Sequence, residues 1–255
     1  SRPELGLNAA HILYLLGRFE LAEKQIVQVE QTLDTLPASS EKEQMLAQAS
    51  LYRGAIASVH GDTQQAIEKI TFAQERLPRE KHLLQARGFF SLGVAYEISG
   101  QTELAIENYL KSSEEAQFVD EIYLVIHSLC AVAQVQVAQG LLYQAEQACQ
   151  QAIQIAEGKR LPPLGLAESI LGSIALERND LAAAEEFLQD GVALSRRGGL
   201  IDDVIFGLSS LARLLAYEGR VSNAFEVAQE VNTIIQGFGV ERMSMVVAAH
   251  IANLQ

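Results

Sequence analysis

Small and apolar residues recur along this chain with a period close to 40 residues. Six short segments share one signature, in which a glycine or an asparagine is followed five residues later by an alanine. These segments begin at Gly17, Gly61, Gly100, Gly140, Asn179 and Gly219, which are 44, 39, 40, 39 and 40 residues apart. Glycine and asparagine tolerate the left-handed backbone conformation that ends many helices. Each segment is therefore predicted to be the turn of a helix–turn–helix unit.

A second set of small residues lies twelve residues before each turn alanine. The pairs are Ala10–Ala22, Gly54–Ala66, Gly93–Ala105, Ala133–Ala145, Gly172–Ala184 and Ala212–Ala224. Small side chains on both helices of a pair allow their backbones to approach closely. Four residues after the alanine, a further position carries Ile26, Ile70, Tyr109, Cys149, Leu188 and Ala228. With neighbours at offsets of three and four, this position forms the inward stripe of an amphipathic helix.

The pattern predicts six helix pairs and one extra helix near residues 240–254. First helices are predicted near residues 4–16, 41–59, 80–98, 121–138, 163–178 and 200–218, and second helices near 19–35, 62–77, 101–117, 141–157, 180–196 and 220–236. The linkers contain helix-ending residues such as Pro37 and Gly158, and none of them looks like a flexible interdomain tether. We therefore predict a single domain over residues 1–255. Because the first residue is not Met and the pattern begins and ends within a repeat, we expect a fragment of a larger protein.

The repeat resembles the tetratricopeptide repeat (TPR). Leu92-Gly93 and Leu171-Gly172 are similar to its Leu-Gly signature, and Pro78 is similar to its closing proline. One departure is the interval of 27 residues from Ala66 to Gly93, which lengthens the second helix and the following linker. The resemblance implies an all-α fold, a right-handed α-solenoid of about six TPR-like repeats with one more C-terminal helix.

Forty-residue repeats rich in Ala, Leu, Glu and Gln also resemble those of the MalT-type bacterial transcription regulators of the LuxR family. The segments that carry this resemblance are Leu104-Ala105-Ile106-Glu107-Asn108-Tyr109 and Gly93-Val94-Ala95-Tyr96-Glu97. It implies a sensor and assembly domain that detects an inducer and takes part in self-association. The sequence has neither a glycine-rich loop ending in Lys-Ser/Thr nor a basic recognition helix. The alternative is a generic TPR scaffold that binds peptide segments of partner proteins.

The net charge of the chain argues against certain ligands, and its cysteine content indicates the cellular compartment. A formal net charge of −13 argues against binding of nucleic acid or of an anionic membrane surface by this chain. Two cysteines, Cys130 and Cys149, are too few for a disulfide-stapled secreted domain and favour the cytoplasm. They are interpreted as small core residues, with a redox pair as the less favoured alternative. The uncharged segment 122–145 is long enough to span a bilayer, but its glutamines and Gly140 favour a buried helix and its turn.

Neither a catalytic site nor a metal site is predicted. The five histidines are scattered without metal-ligand spacing, and Ser, His and Asp do not converge on one plausible site. We therefore expect a binding scaffold rather than an enzyme, without a cofactor.

The concave face of such a solenoid is lined by the first helices. The positions that face the groove lie six and three residues before the small residue of the first helix, and one and four residues after it. Polar groups at these positions concentrate in the third and fourth repeats, with one outlier in the sixth: Arg87, Phe90, Glu97, His127, Cys130, Gln134 and Arg213. A small-molecule inducer or a protein or peptide partner is expected there, with Arg87 binding an anion or a sugar hydroxyl and Phe90 stacking on a ring. The competing interpretation is a solvated inner surface without a ligand, on which Arg87 and Glu97 pair only with neighbouring helices.

Overall fold

A computed structural model describes residues 3–238 of the chain, and within them it contains twelve α-helices and no strand. The first helices of the pairs are α1 (Pro3–Leu15), α3 (Ser40–Val59), α5 (His82–Ile98), α7 (Ile122–Ala138), α9 (Leu164–Glu177) and α11 (Ile201–Tyr217). The second helices are α2 (Phe19–Asp34), α4 (Thr63–Arg76), α6 (Thr102–Gln117), α8 (Leu142–Ile155), α10 (Leu181–Gly198) and α12 (Val221–Phe238). The six predicted pairs are confirmed. The predicted helix near residues 240–254 lies outside the described residues.

The turn inside each pair has the predicted left-handed residue. Gly100 has φ +77° and Asn179 has φ +62°, and the glycines of the other four turns lie in the same region. In the third repeat the amide of Gln101 donates to the carbonyl of Tyr96 at 2.8 Å, and the amide of Gly100 donates to Glu97 at 3.0 Å. These two bonds satisfy carbonyls that the end of α5 would otherwise leave unpaired. The turn therefore ends one helix and immediately begins the next.

Two of the second helices start with an aspartate cap. The side chain of Asp62 accepts the amide of Gln65 at 3.1 Å, and that of Asp180 accepts the amide of Ala183 at 3.2 Å. A capping carboxylate pairs a free amide of the first turn and offsets the positive end of the helix dipole. The local sequence thus fixes where these helices begin.

Close packing within a pair depends on the small residue of the first helix. A Cβ added to Gly54 would lie 2.5 Å from Ile70 Cγ1, and one added to Gly172 would lie 2.6 Å from Leu188 Cγ. In both pairs the small residue therefore faces the inward-stripe residue of the second helix. The turn alanines Ala66 and Ala184 are fully buried beside them. The register predicted from the spacing is confirmed.

The helices form two compact units, Ser1–Asp120 with α1 to α6 and Glu121–Gln255 with α7 to α12. In unit 1 the first helices contact one another in the order α1, α3, α5, and each second helix contacts the first helix before it. In unit 2 the first helices contact one another in the order α7, α9, α11. Each unit thus has a layer of first helices, which we call the inner layer, and a layer of second helices. This is the arrangement of a helical-repeat solenoid, and the predicted fold class is confirmed. The prediction of one domain stays a prediction.

The uncharged segment 122–145 consists of α7, the turn at Gly140 and the start of α8. Most of α7 is buried, including Ile126, Leu129 and Ala133. The predicted buried helix and turn are confirmed. None of the described helices combines the length and the apolar character that a membrane span needs.

Candidate binding site

The inner layer of unit 1 carries a group of polar and aromatic side chains from three successive first helices. The ring of His11 in α1 stacks on that of Tyr52 in α3, with centroids 5.2 Å apart and planes 17° from parallel. The side-chain amide of Gln48 donates to the Tyr52 hydroxyl oxygen at 2.8 Å. Arg87 in α5 lies close enough to His11 to interact with it electrostatically. We call His11, Gln48, Tyr52 and Arg87 the unit 1 cluster.

His11 is held in its neutral form within this cluster. Burial disfavours the imidazolium, and the positive charge of Arg87 disfavours it further, so the pKa of His11 is lowered to about 4. At neutral pH the imidazole therefore has one nitrogen that donates and one that accepts a hydrogen bond. Of the four side chains in the unit 1 cluster, Arg87 alone carries a charge at that pH.

Phe90 and Glu97 both contact Tyr109, the inward-stripe residue of α6. The rings of Phe90 and Tyr109 lie 5.4 Å apart, and the Tyr109 hydroxyl donates to a Glu97 carboxylate oxygen at 2.6 Å. Phe90 is half-buried and Glu97 is exposed. The contact of Glu97 agrees with the interpretation in which this residue pairs with a neighbouring helix.

In unit 2, His127 bonds to an acid that is remote in sequence. His127 Nε2 of α7 lies 3.0 Å from the Asp203 Oδ2 of α11, although α9 lies between these helices along the chain. The Asp203 side chain is 7% exposed and the His127 side chain 26%. Burial lowers the pKa of His127, but the charge and hydrogen bond of Asp203, with a smaller contribution from Asp202, outweigh it, so the pKa is raised. The pair therefore favours an imidazolium that faces a nearly buried carboxylate.

Cys130 lies one helical turn from His127 and is fully buried. Burial, with the nearby Cys149 and Asp203, raises the pKa of the Cys130 thiol well above its usual range. Burial also raises the pKa of Cys149 to about 12. A nucleophilic or redox-active cysteine needs a stabilised thiolate, which is the opposite of this environment. Both cysteines are free and occupy the core, so the sulfur of Cys130 does not lie on the groove surface.

Gln134 and Arg213 are the other predicted residues of unit 2, and both are half-buried. Gln134 lies on α7, one turn beyond Cys130. Arg213 of α11 donates to the Glu177 carboxylate of α9 at 2.8 Å. Arg213 is thus bound to a glutamate of the preceding first helix.

The seven predicted residues divide between the units: Arg87, Phe90 and Glu97 lie in unit 1, and His127, Cys130, Gln134 and Arg213 lie in unit 2. Sequence reasoning missed two participants for which a signal existed. His11 follows the small residue Ala10 directly, which is a groove-facing position of the register. Asp203 occupies a position at which the four preceding repeats carry apolar residues, namely Met45, Leu84, Leu124 and Pro163.

Solved structures with the same fold support the repeat assignment. The chain is similar to a Rap protein in complex with Competence and Sporulation Factor, with a TM-score of 0.63, 14% identity and coverage of 93% of this chain and 77% of the other. It is similar to the Rap conjugation gene regulator of plasmid pLS20 in complex with the Phr* peptide, with a TM-score of 0.65, 14% identity and coverage of 93% and 76%. The apo quorum sensor NprR from B. thuringiensis gives a TM-score of 0.65 and 12% identity, with coverage of 92% and 65%.

None of the curated proteins compared with the chain matches it. The family described as the MalT-like TPR region matches residues 47–255, which is most of the chain. The matched part begins within α3 and contains α4 to α12, with the left-handed turns and buried turn alanines of the last five helix pairs. This chain therefore belongs to the MalT-like TPR family.

Proposed function

We propose that this chain is a protein-binding scaffold that receives a peptide segment of a partner on its inner layer. The single observation that carries the proposal is the concentration of polar and aromatic groups on the first helices of unit 1. There His11 of α1 stacks on Tyr52 of α3, and Arg87 of α5 interacts electrostatically with His11. Phe90 lies one turn beyond Arg87 on α5. Aromatic faces next to a few polar groups suit recognition of an extended peptide.

The fold neighbours support a peptide as the partner. One of these Rap structures holds the Phr* peptide and another holds Competence and Sporulation Factor. Both Rap structures have a fold similar to that of this chain, in which first helices of successive repeats form a layer in each unit. A scaffold of this kind offers its partner many weak side-chain contacts in register rather than one deep cavity.

We further propose that the chain is the sensor or assembly region of a MalT-like bacterial transcription regulator that acts in the cytoplasm. Membership of the MalT-like TPR family supports this part of the proposal. In this context the groove residues Arg87, Phe90, Glu97, His127, Gln134 and Arg213 serve in binding, each within its own unit. A small-molecule inducer in place of the peptide, and self-association of the chain, are the alternatives that the family leaves open.

The test of peptide binding compares two phenylalanines that differ in helix layer. A random heptapeptide phage library is panned on the wild-type chain, and enriched peptides are synthesised and titrated calorimetrically. Phe90→Ala removes a ring from the inner layer, whereas Phe72→Ala removes a partly exposed ring from the second helix α4. We expect Phe90→Ala to weaken binding by about tenfold or more, a change of ~1.4 kcal/mol, and Phe72→Ala to leave it unchanged. Absence of any enriched peptide would refute the proposal, as would equal losses in the two variants.

A further inference from the structure

Arg87 differs from the other half-buried arginines of residues 3–238 because it lacks a carboxylate partner. Within residues 3–238, three arginines are half-buried: Arg53, Arg87 and Arg213. Arg53 lies 3.0 Å from a Glu30 carboxylate oxygen, and Arg213 lies 2.8 Å from Glu177. Among the residues that the structure describes, Arg87 has neither a hydrogen bond nor a carboxylate within ion-pair distance. Of the half-buried guanidinium groups that the structure describes, two are thus paired with a carboxylate and the third, that of Arg87, is not.

The lack of a partner is not explained by a shortage of acids. The chain has 32 Asp and Glu residues against 19 Lys and Arg. Several exposed arginines of the second helices and turns find carboxylates, including Arg178 with Glu146 and Arg220 with Glu185. Partial burial makes a cation costly unless something neutralises it. An unpaired guanidinium at a half-buried position therefore has donors that a guest can use.

The neighbours of Arg87 in the unit 1 cluster add no competing negative charge. His11, Gln48 and Tyr52 are neutral at pH 7, and they are fixed by the ring stack and by the bond from Gln48 to the Tyr52 hydroxyl. The unit 1 cluster thus combines three uncharged polar side chains with one guanidinium that has no carboxylate partner. Such a site selects a single anionic group and excludes a cationic one.

We propose that Arg87 binds a carboxylate of the peptide partner, beside the imidazole ring of His11. This proposal rests on the peptide-binding function and names the chemistry of its ligand. A planar guanidinium donates two parallel hydrogen bonds to a carboxylate, which fixes the orientation of the peptide as well as its position. The carboxylate is either that of an Asp or Glu side chain or that of the peptide C-terminus.

Four synthetic mixtures of N-acetylated random heptapeptides distinguish these sources. The mixtures contain or lack Asp and Glu, and each is made with a free or an amidated C-terminus. Retention of each mixture by the immobilised chain is measured by mass spectrometry. We expect the mixture without any carboxylate to be retained about tenfold less than the best of the others. The source of the carboxylate is identified by comparing the two mixtures that have only one kind, either Asp and Glu side chains or the free C-terminus.

Variants of Arg87 then test the carboxylate site separately from peptide binding by the chain. Arg87→Ala should abolish the preference for carboxylates and keep the weak retention of the carboxylate-free mixture, and Arg87→Lys should keep part of the preference. Arg76→Ala, which removes an exposed arginine of α4, should leave it intact. Circular dichroism confirms that each variant is folded. Retention without a carboxylate preference, or a preference that survives Arg87→Ala, would overturn the Arg87 assignment but not peptide binding. Retention of none of the mixtures would overturn peptide binding itself.

Discussion

Gly93 of α5 lies directly against the ring of Tyr109 of α6, so that a Cβ added to the glycine would lie 2.5 Å from both Cδ1 and Cε1 of the tyrosine. The same Tyr109 hydroxyl donates to Glu97, one turn further along α5. The glycine therefore leaves room for the tyrosine ring against α5, and the hydroxyl of that ring reaches a carboxylate near the end of the helix. One small residue thus determines how closely the two helices of this repeat approach.

Replacement of this glycine tests the close approach. Gly93→Ala should lower the free energy of unfolding by about 1–3 kcal/mol, because the new methyl group displaces a fully buried ring. The matched control is Gly237→Ala, since Gly237 is also helical but no atom of the described residues lies within 4 Å of an added Cβ. Alanine there should be neutral or stabilising by up to ~1 kcal/mol. Urea denaturation measures both, and equal losses for the two variants would contradict the packing described.

The turn alanine of the same pair gives a second test. Ala105→Leu inserts three carbon atoms into a fully buried site between two backbones and should cost about 1–3 kcal/mol or more. Glu107 lies two residues further along α6 and is exposed, where it accepts a bond from Lys111. Glu107→Leu should cost only the ~0.3–0.5 kcal/mol of an exposed pair on a helix. Melting temperatures that do not separate these variants would show that the register is wrong.

A pH-dependent stability should follow from the bond between His127 and Asp203. Because the pKa of His127 is raised in the folded chain, the imidazolium stabilises the fold fully at a pH below 6.5, and this stabilisation is lost as the pH rises through the raised pKa. Asp203→Asn should therefore destabilise the chain more at pH 5.5 than at pH 8.5. Proton NMR titration of His127 should give a pKa above 6.5 in the wild-type chain and a lower one in Asp203→Asn. A wild-type pKa at or below 6.5 would contradict this account.

The repeat architecture was largely predictable because its determinants are local. The helix limits differ from the predicted ones by two residues or fewer, since the glycine or asparagine of each turn ends one helix and the next begins within a few residues. The turn alanines and the inward stripe recur at fixed spacing, so one repeat confirms another. Burial of these residues follows from the amphipathic pattern alone.

The site was less predictable because it depends on contacts between repeats. His127 and Asp203 are 76 residues apart, and the sequence contains no periodic signal that joins them. Cys130 satisfies the groove register and yet is fully buried, because the packing of neighbouring helices and not the register alone decides exposure. That Arg87 lacks a carboxylate partner can be recognised only from the structure, which shows that Arg53 and Arg213 have such partners.

The acidic charge leads to a prediction about nucleic acid. With a net charge of −13, this chain should not bind double-stranded DNA at moderate salt, whatever a longer protein containing it does. Fluorescence anisotropy of a labelled random-sequence duplex measures this at 50 and at 150 mM salt. A salt-sensitive rise in anisotropy would show that the described surface contains a phosphate-binding patch that the charge argument misses.

The central claim, that the inner layer receives the peptide, is tested most directly by site-specific photo-crosslinking. Benzoylphenylalanine is placed either at Val94, a half-buried groove-facing position of α5, or at Glu107, an exposed position of α6. The peptides are those enriched on the wild-type chain from the random heptapeptide library, and the products are quantified by mass spectrometry. We predict a crosslink at Val94 that excess unlabelled peptide abolishes, and none at Glu107. Crosslinking at Glu107 without crosslinking at Val94 would place the peptide on the second helices and contradict the account.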